Sequence, residues 1–252
     1  MKSSYLLKTL LAVAILGTSY LPNAYAAFSF GELNGYGDVT MNASDVGQSF
    51  TTNWLCSANT TCGTGTTITP QTLSATGTFT LESYSSNQLK FSATITNTTS
   101  KSFQAALTAV GLYAPSFSPG TISTSPGSVF QSINSKSIPS FNNNTNQPTN
   151  VCISPGSNCS GSSIYDGLGD GYPGLDSSTD TFSFTLSNSG TIGSSVTLSD
   201  FAVKFQTSAG SYEFGDGLGP SPTPEPASFW LLGSALLFMI GIHLRKGMPK
   251  KA

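Results

Sequence analysis

Four aspartates, Asp166, Asp170, Asp176 and Asp180, fall on one glycine-rich run, DGLGDGYPGLDSSTD. A calcium ion takes roughly six to eight oxygen ligands on a flexible backbone, and glycine lets carbonyls turn inward to supply some of them. The spacing is not that of an EF-hand, which places acids at every second position and a glutamate at the twelfth. The competing reading is a solvated acidic turn ahead of a strand that starts at Thr181. The expectation is no cofactor, with calcium on this run as the one exception the residues allow.

Other chemistry is limited by what the chain lacks. Its single histidine, His243, lies in an apolar run near the C-terminus, and no arginine occurs between residues 27 and 219. That stretch therefore has no Ser-His-Asp triad, no Cys-His dyad and no guanidinium clamp for phosphate. Paired carboxylates of the glycosidase kind remain open to its eleven acids, but no spacing singles out a pair. The expectation is a protein that is not an enzyme. Lys90, Lys101, Lys136 and Lys204 are the only bases in the stretch, which gives it a net charge of −7. Such a surface lacks the basic footprint of a nucleic-acid binder.

The four cysteines fall as Cys56-x5-Cys62 and Cys152-x6-Cys159. Three pairings are possible, and the two local ones are favoured, each closing a short loop. A zinc site is the rival, although the spacings are longer than the usual knuckle.

The elements that must position these groups read as strands. Thr76–Leu81 and Leu89–Thr96 alternate apolar and hydroxyl residues, the mark of a half-buried strand, and a Ser-Ser-Asn stretch joins them as a hairpin. A third strand, or a strand with a bulge, spans 103–113, and Thr181–Leu186 alternates again. Val196 and Leu198 keep one parity and Phe201, Val203 and Phe205 the other, so a bulge is expected at Ser199-Asp200. Shorter strands are expected at 48–52, 66–69, 128–133 and 211–214, and 115–163 reads as loop-rich. The fold class is all-β: an antiparallel β-sandwich or jelly-roll-like ectodomain of eight to ten short strands over residues 27–219. Only 9% of the chain is charged, against a usual quarter, so solubility rests on Ser, Thr, Asn and Gly.

Both ends carry addresses. Lys2 and Lys8, the apolar run 9–17 and Ala24-Tyr25-Ala26 make residues 1–26 a signal peptide for signal peptidase. Residues 220–226, PSPTPEP, form a stiff proline-rich linker. Residues 227–244 are eighteen without a formal charge, about 27 Å as a helix, enough to cross a bilayer's hydrocarbon core. Residues 245–252, with Arg245, Lys246, Lys250 and Lys251, form a basic cytoplasmic tail and place the ectodomain outside the inner membrane.

Pro224-Glu225-Pro226, the apolar helix and Arg245-Lys246 together resemble the PEP-CTERM sorting signal of Gram-negative bacteria. The resemblance covers about thirty residues at the chain end, with the basic cluster interrupted at Gly247-Met248-Pro249. It implies recognition by exosortase, processing near Pro-Glu-Pro, and delivery from an inner-membrane precursor to the cell surface or extracellular matrix. The ectodomain resembles the cistern group of PEP-CTERM proteins. That likeness rests on Val46-Gly47-Gln48-Ser49-Phe50, Ile95-Thr96-Asn97-Thr98-Thr99, Ala109-Val110-Gly111-Leu112, Val151-Cys152, Asn158-Cys159-Ser160-Gly161 and residues 200–206, DFAVKFQ. Relatives commonly have a second glycine where this chain has Ser162.

The expected role is a non-enzymatic surface or matrix protein linked to exopolysaccharide or biofilm. A glycan- or calcium-binding module is the alternative, with Tyr36, Trp54, Tyr84, Tyr113, Tyr165 and Tyr172 as candidate stacking rings. An ice-binding protein would need a flat, regular threonine ladder, and the threonines follow strand alternation without a fixed repeat. An exported hydrolase would need two carboxylates converging in a pocket.

Overall fold

Fourteen strands form among the described residues of the computed structural model, and all pair antiparallel. The described residues are 28–33, 36–62, 71–100, 104–138, 149–157, 159, 165–169, 178–216 and 221–222. The signal peptide, the strand expected at 66–69, Asp170, Asp176, the Pro224-Glu225-Pro226 motif, the 227–244 helix, and Arg245 and Lys246 lie outside them. The chain divides into two units, Met1–Pro222 and Thr223–Ala252, and everything described below belongs to the first.

The strands are β1 (Ser29–Leu33), β2 (Tyr36–Met41), β3 (Ser49–Cys56), β4 (Leu73–Tyr84), β5 (Gln88–Asn97), β6 (Ala105–Tyr113) and β7 (Phe117–Thr124). They continue as β8 (Ser132–Asn134), β9 (Val151–Ser154), β10 (Leu168–Gly169), β11 (Thr179–Asn188), β12 (Val196–Thr207), β13 (Gly210–Gly215) and β14 (Ser221–Pro222). The first sheet runs β1-β2-β12-β6-β9-β8, with β10 on β6 and β13 on β12; the second runs β14-β3-β4-β5-β11-β7. The two sheets close on one phenylalanine-rich core, and the fold is an antiparallel β-sandwich. Phe50 stacks on Phe79 at 5.3 Å between centroids and Phe91 on Phe184 at 5.3 Å, while Phe201 meets Phe50 edge-on at 5.6 Å from the opposite sheet.

The β4–β5 hairpin, β11 and the Ser199-Asp200 irregularity stand where the alternation put them. β12 is one continuous strand whose pairing to β6 shifts between Ser199 and Ala202, and Asp200 takes φ 51°, in the left-handed region. The stretch 115–163 departs from its loop-rich reading, because β7 and β9 lie within it, while β8 overlaps the end of the strand expected at 128–133. β7 contains Pro119-Gly120, which a central strand would not tolerate, but β7 is an edge strand. Its glycine is needed: a Cβ on Gly120 would come within 2.2 Å of Thr185 Oγ1, which accepts the Thr121 N–H at 2.8 Å.

The rest of that stretch covers the outer face of the first sheet. Ile138, Cys152 and Cys159 pack on Ala109 and Ala202 in a second, smaller apolar cluster. β6 is therefore buried on both faces and reads as an unbroken run instead of an alternation.

Candidate functional site

The cysteines pair locally. Cys56–Cys62 and Cys152–Cys159 are disulfides, with Cα atoms 5.7 Å and 6.4 Å apart, and none of the four sulfurs is left for zinc. Cys56 ends β3 and Cys152 lies in β9, so each bridge ties a loop to the end of a buried strand. In the loop-entropy view each short ring contributes about 2.5 kcal/mol. Reduction of both bridges is expected to lower the unfolding free energy by about 5 kcal/mol if the two add, and a urea titration with and without reductant measures it.

Of the acidic run, Asp166 and Asp180 fall within the described residues. Asp166 sits on an exposed turn, and Asp180 is buried in β11. The Asp180 carboxylate accepts hydrogen bonds from the Val129 and Phe130 amides at 2.9 and 2.7 Å and from Ser128 Oγ at 2.9 Å. Its oxygens face donors, an arrangement that clamps the chain leading into β8. Asp180→Ala should cost about 3 kcal/mol by stranding those buried donors. The loss should be the same in calcium and in chelator when followed by thermal unfolding.

Trp54 is the clearest departure among the candidate stacking rings. It is 1% exposed in the core, where its Nε1 donates to the Phe201 carbonyl at 3.0 Å, and presents no face to a glycan. Tyr165 is 63% exposed, and Tyr84 donates to the Gly193 carbonyl at 2.8 Å. Tyr172 lies outside the described residues.

The threonines, unordered along the chain, become ordered across strands. On the outward face of the second sheet, Thr51, Thr78, Thr94 and Thr181 stand in one row. Asn53, Thr76, Thr96 and Thr179 form the next row, and Ser49, Thr80, Ser92, Ser183 and Ser123 the one on the other side. Neighbouring hydroxyls are joined at 2.7 Å (Ser49–Thr80), 3.3 Å (Thr51–Thr78), 3.1 Å (Thr94–Thr181) and 3.0 Å (Thr96–Thr179). Strand geometry spaces such groups about 4.8 Å across the sheet and about 6.8 Å along it.

A second constellation had no signal in the spacing. Along one edge of β12, β2 pairs with Val196–Ser199 and β13 with Ala202–Thr207. The start of β2 and the end of β13 thus meet at Asp200-Phe201, bringing Tyr36, Asp200 and Asp216 together. Both aspartates are 0% exposed. Asp200 Oδ2 accepts from Ser199 Oγ at 2.9 Å, whereas Asp200 Oδ1 and both oxygens of Asp216 have no hydrogen-bond partner.

Burial pushes the Asp216 carboxyl up to about 8, and the charge of Asp200 adds to the rise. The amides of Asp216 itself and of Gly37 pull the other way, though neither reaches hydrogen-bond geometry with the carboxyl. Burial raises Asp200 as well, opposed by the Ser199 hydroxyl. Tyr36 is raised by burial and then by both aspartates. Tyr36 and Gly215 line a cleft of about 290 Å³ that continues to Cys56, Thr60 and Cys62. Of the junction residues only Tyr36 lines that cleft; the aspartates are buried behind it, oxygen acceptors able to hold protons or a hard cation.

The first sheet also buries Lys204 against Glu213 at 3.3 Å, a pair set by direct cross-strand register. Among the described residues no group of three or more His, Cys, Asp or Glu side chains is placed to hold a metal, and no helix is long and apolar enough to cross a membrane. Comparison with family models, with curated proteins and with solved structures gave no match.

Proposed function

We propose that this chain is an exported, non-enzymatic surface or extracellular-matrix protein that associates with exopolysaccharide through the hydroxyl rows of its second sheet. In this reading signal peptidase removes residues 1–26. The C-terminal helix holds an inner-membrane precursor, and exosortase processes the PEP-CTERM end near Pro224-Glu225-Pro226 for delivery to the surface. The observation that carries it is the array of serine and threonine hydroxyls on one sheet face. Each hydroxyl can both donate and accept, as sugar hydroxyls do, so an uncharged array can bond a neutral glycan without requiring a charged partner. The two disulfides support an oxidising compartment.

Two experiments test the two halves of the proposal. Fractionation of the native host should give a shortened surface form when exosortase is present and a membrane-retained precursor when it is deleted. Full-length, thiol-reduced chain in the cytosol would end this reading. For the face itself, the double variant Thr78→Val, Thr94→Val keeps β-branched shape and removes two hydroxyls. It should weaken binding to the host's exopolysaccharide about tenfold at unchanged Tm. Unaltered binding would detach the glycan from this face, and thermal hysteresis in the same preparation would reassign the rows to ice.

A further inference from the structure

We propose that Asp200 and Asp216 bind a calcium ion at the junction where β2 and β13 meet beside β12. Three carboxylate oxygens there, Asp200 Oδ1 and both of Asp216, are buried and unpartnered. A buried acceptor left without a donor or cation is costly, so such groups in folded proteins are nearly always satisfied. No hydrogen bond joins the two carboxyls, which act on each other only through charge. A proton shared between them does not account for the arrangement. A cation between them would satisfy oxygens on both sides at once.

The identity of the ion follows from the donors. Carboxylates and a phenol offer oxygen alone, with no imidazole or thiolate, which selects a hard cation over zinc or copper. Two of the four bases between residues 27 and 219 are committed elsewhere: Lys204 pairs with Glu213, and Lys90 pairs with Glu82 at 2.7 Å. Calcium accepts irregular coordination and keeps water ligands, whereas magnesium demands a near-octahedral shell. A cleft lined by Tyr36 and by Gly215, the residue preceding Asp216, lies next to the junction without either aspartate lining it, and water from it would complete the shell. The contrast with Asp180 is direct. Its carboxylate is surrounded by donors, while Asp200 Oδ1 and both oxygens of Asp216 have none in hydrogen-bond geometry.

The test uses the full chain, purified in mild detergent with its disulfides formed, at pH 7.5. Calcium should raise Tm by roughly 5–10 °C over chelator once the ion is well above its Kd. Terbium placed in the site should emit on excitation of Tyr36, and calcium should displace it. Asp216→Asn and, independently, Asp200→Asn should abolish both signals, and Asp166→Asn should keep both. The two junction variants approach the site from different strands, so a folding defect in one leaves the other as the test. The proposal is overturned if calcium gives no Tm shift. It is equally overturned if the shift and the terbium emission survive both junction variants, or disappear in Asp166→Asn. The glycan experiment on the opposite sheet is unaffected by any of these outcomes.

Discussion

Trp54→Ala is expected to lower the unfolding free energy by about 4 kcal/mol, the middle of the range for truncating a buried aromatic. Trp54 lies on β3 in the second sheet, and its ring nitrogen reaches across the core to the Phe201 carbonyl on β12 in the first. The residue therefore combines a large apolar contact with a hydrogen bond between layers. The space for it is made on its own sheet: a Cβ on Gly77 would come within 2.6 Å of the indole Cη2 and 3.0 Å of Ile95 Cδ1. Trp54→Phe separates the two contributions. The Phe201 carbonyl also accepts the Asp216 N–H at 3.0 Å, so loss of the indole donor leaves it paired. That variant should cost about half as much as alanine, the loss coming mainly from unfilled volume. Gly77→Val should destabilise by overpacking against the same ring. Urea denaturation at neutral pH measures all three, and a Trp54→Ala loss below about 1 kcal/mol would show that the sandwich does not depend on this contact.

How much of this could be read from the chain depends on how local each signal is. Period-two alternation is local, and it located β4, β5, β11 and both halves of β12 with the break between them. β6 is covered by apolar groups on both sides and carried no alternation, and it was legible at 103–113 only as an apolar run. β7 was hidden by Pro119-Gly120, residues that mark a turn unless the strand stands at an edge. The hydroxyl rows depend on cross-strand register, which joins residues as distant as Thr78 and Thr181 and cannot be seen in a single segment. The Asp200–Asp216 junction is non-local in the same way. Asp200 was visible only as the extra residue in a bulge and Asp216 only as an acid after the apolar Tyr212 and Phe214. Of the clustered acids, Asp166 is exposed and Asp180 is buried among donors, a difference that the run itself does not reveal.

The unfolding free energy should fall as pH rises from 5 to 8 when calcium is chelated. Ordinary carboxylates have finished titrating by pH 5, all four cysteines are bonded, and the sole histidine, His243, lies in the C-terminal apolar segment. Against that flat background Asp216 dominates. Its ordinary value is 3.8, and burial in the fold holds the proton to about 8. Between those values the folded state carries a proton that the unfolded state has lost, so each step up in pH favours unfolding. The contribution is complete below 3.8, declines above it, and is gone beyond about 8. Across pH 5 to 8 the loss is roughly 4 kcal/mol, and the upward shift of Asp200 acts in the same direction. Asp216→Asn keeps the shape of the side chain and cannot ionise. Its profile should be flatter over the same range, and at pH 8 it should be more stable than the parent protein. Urea denaturation at unit pH steps in chelator gives both curves. A parent profile that is flat or rising would show that the buried carboxyl at the junction does not keep its proton.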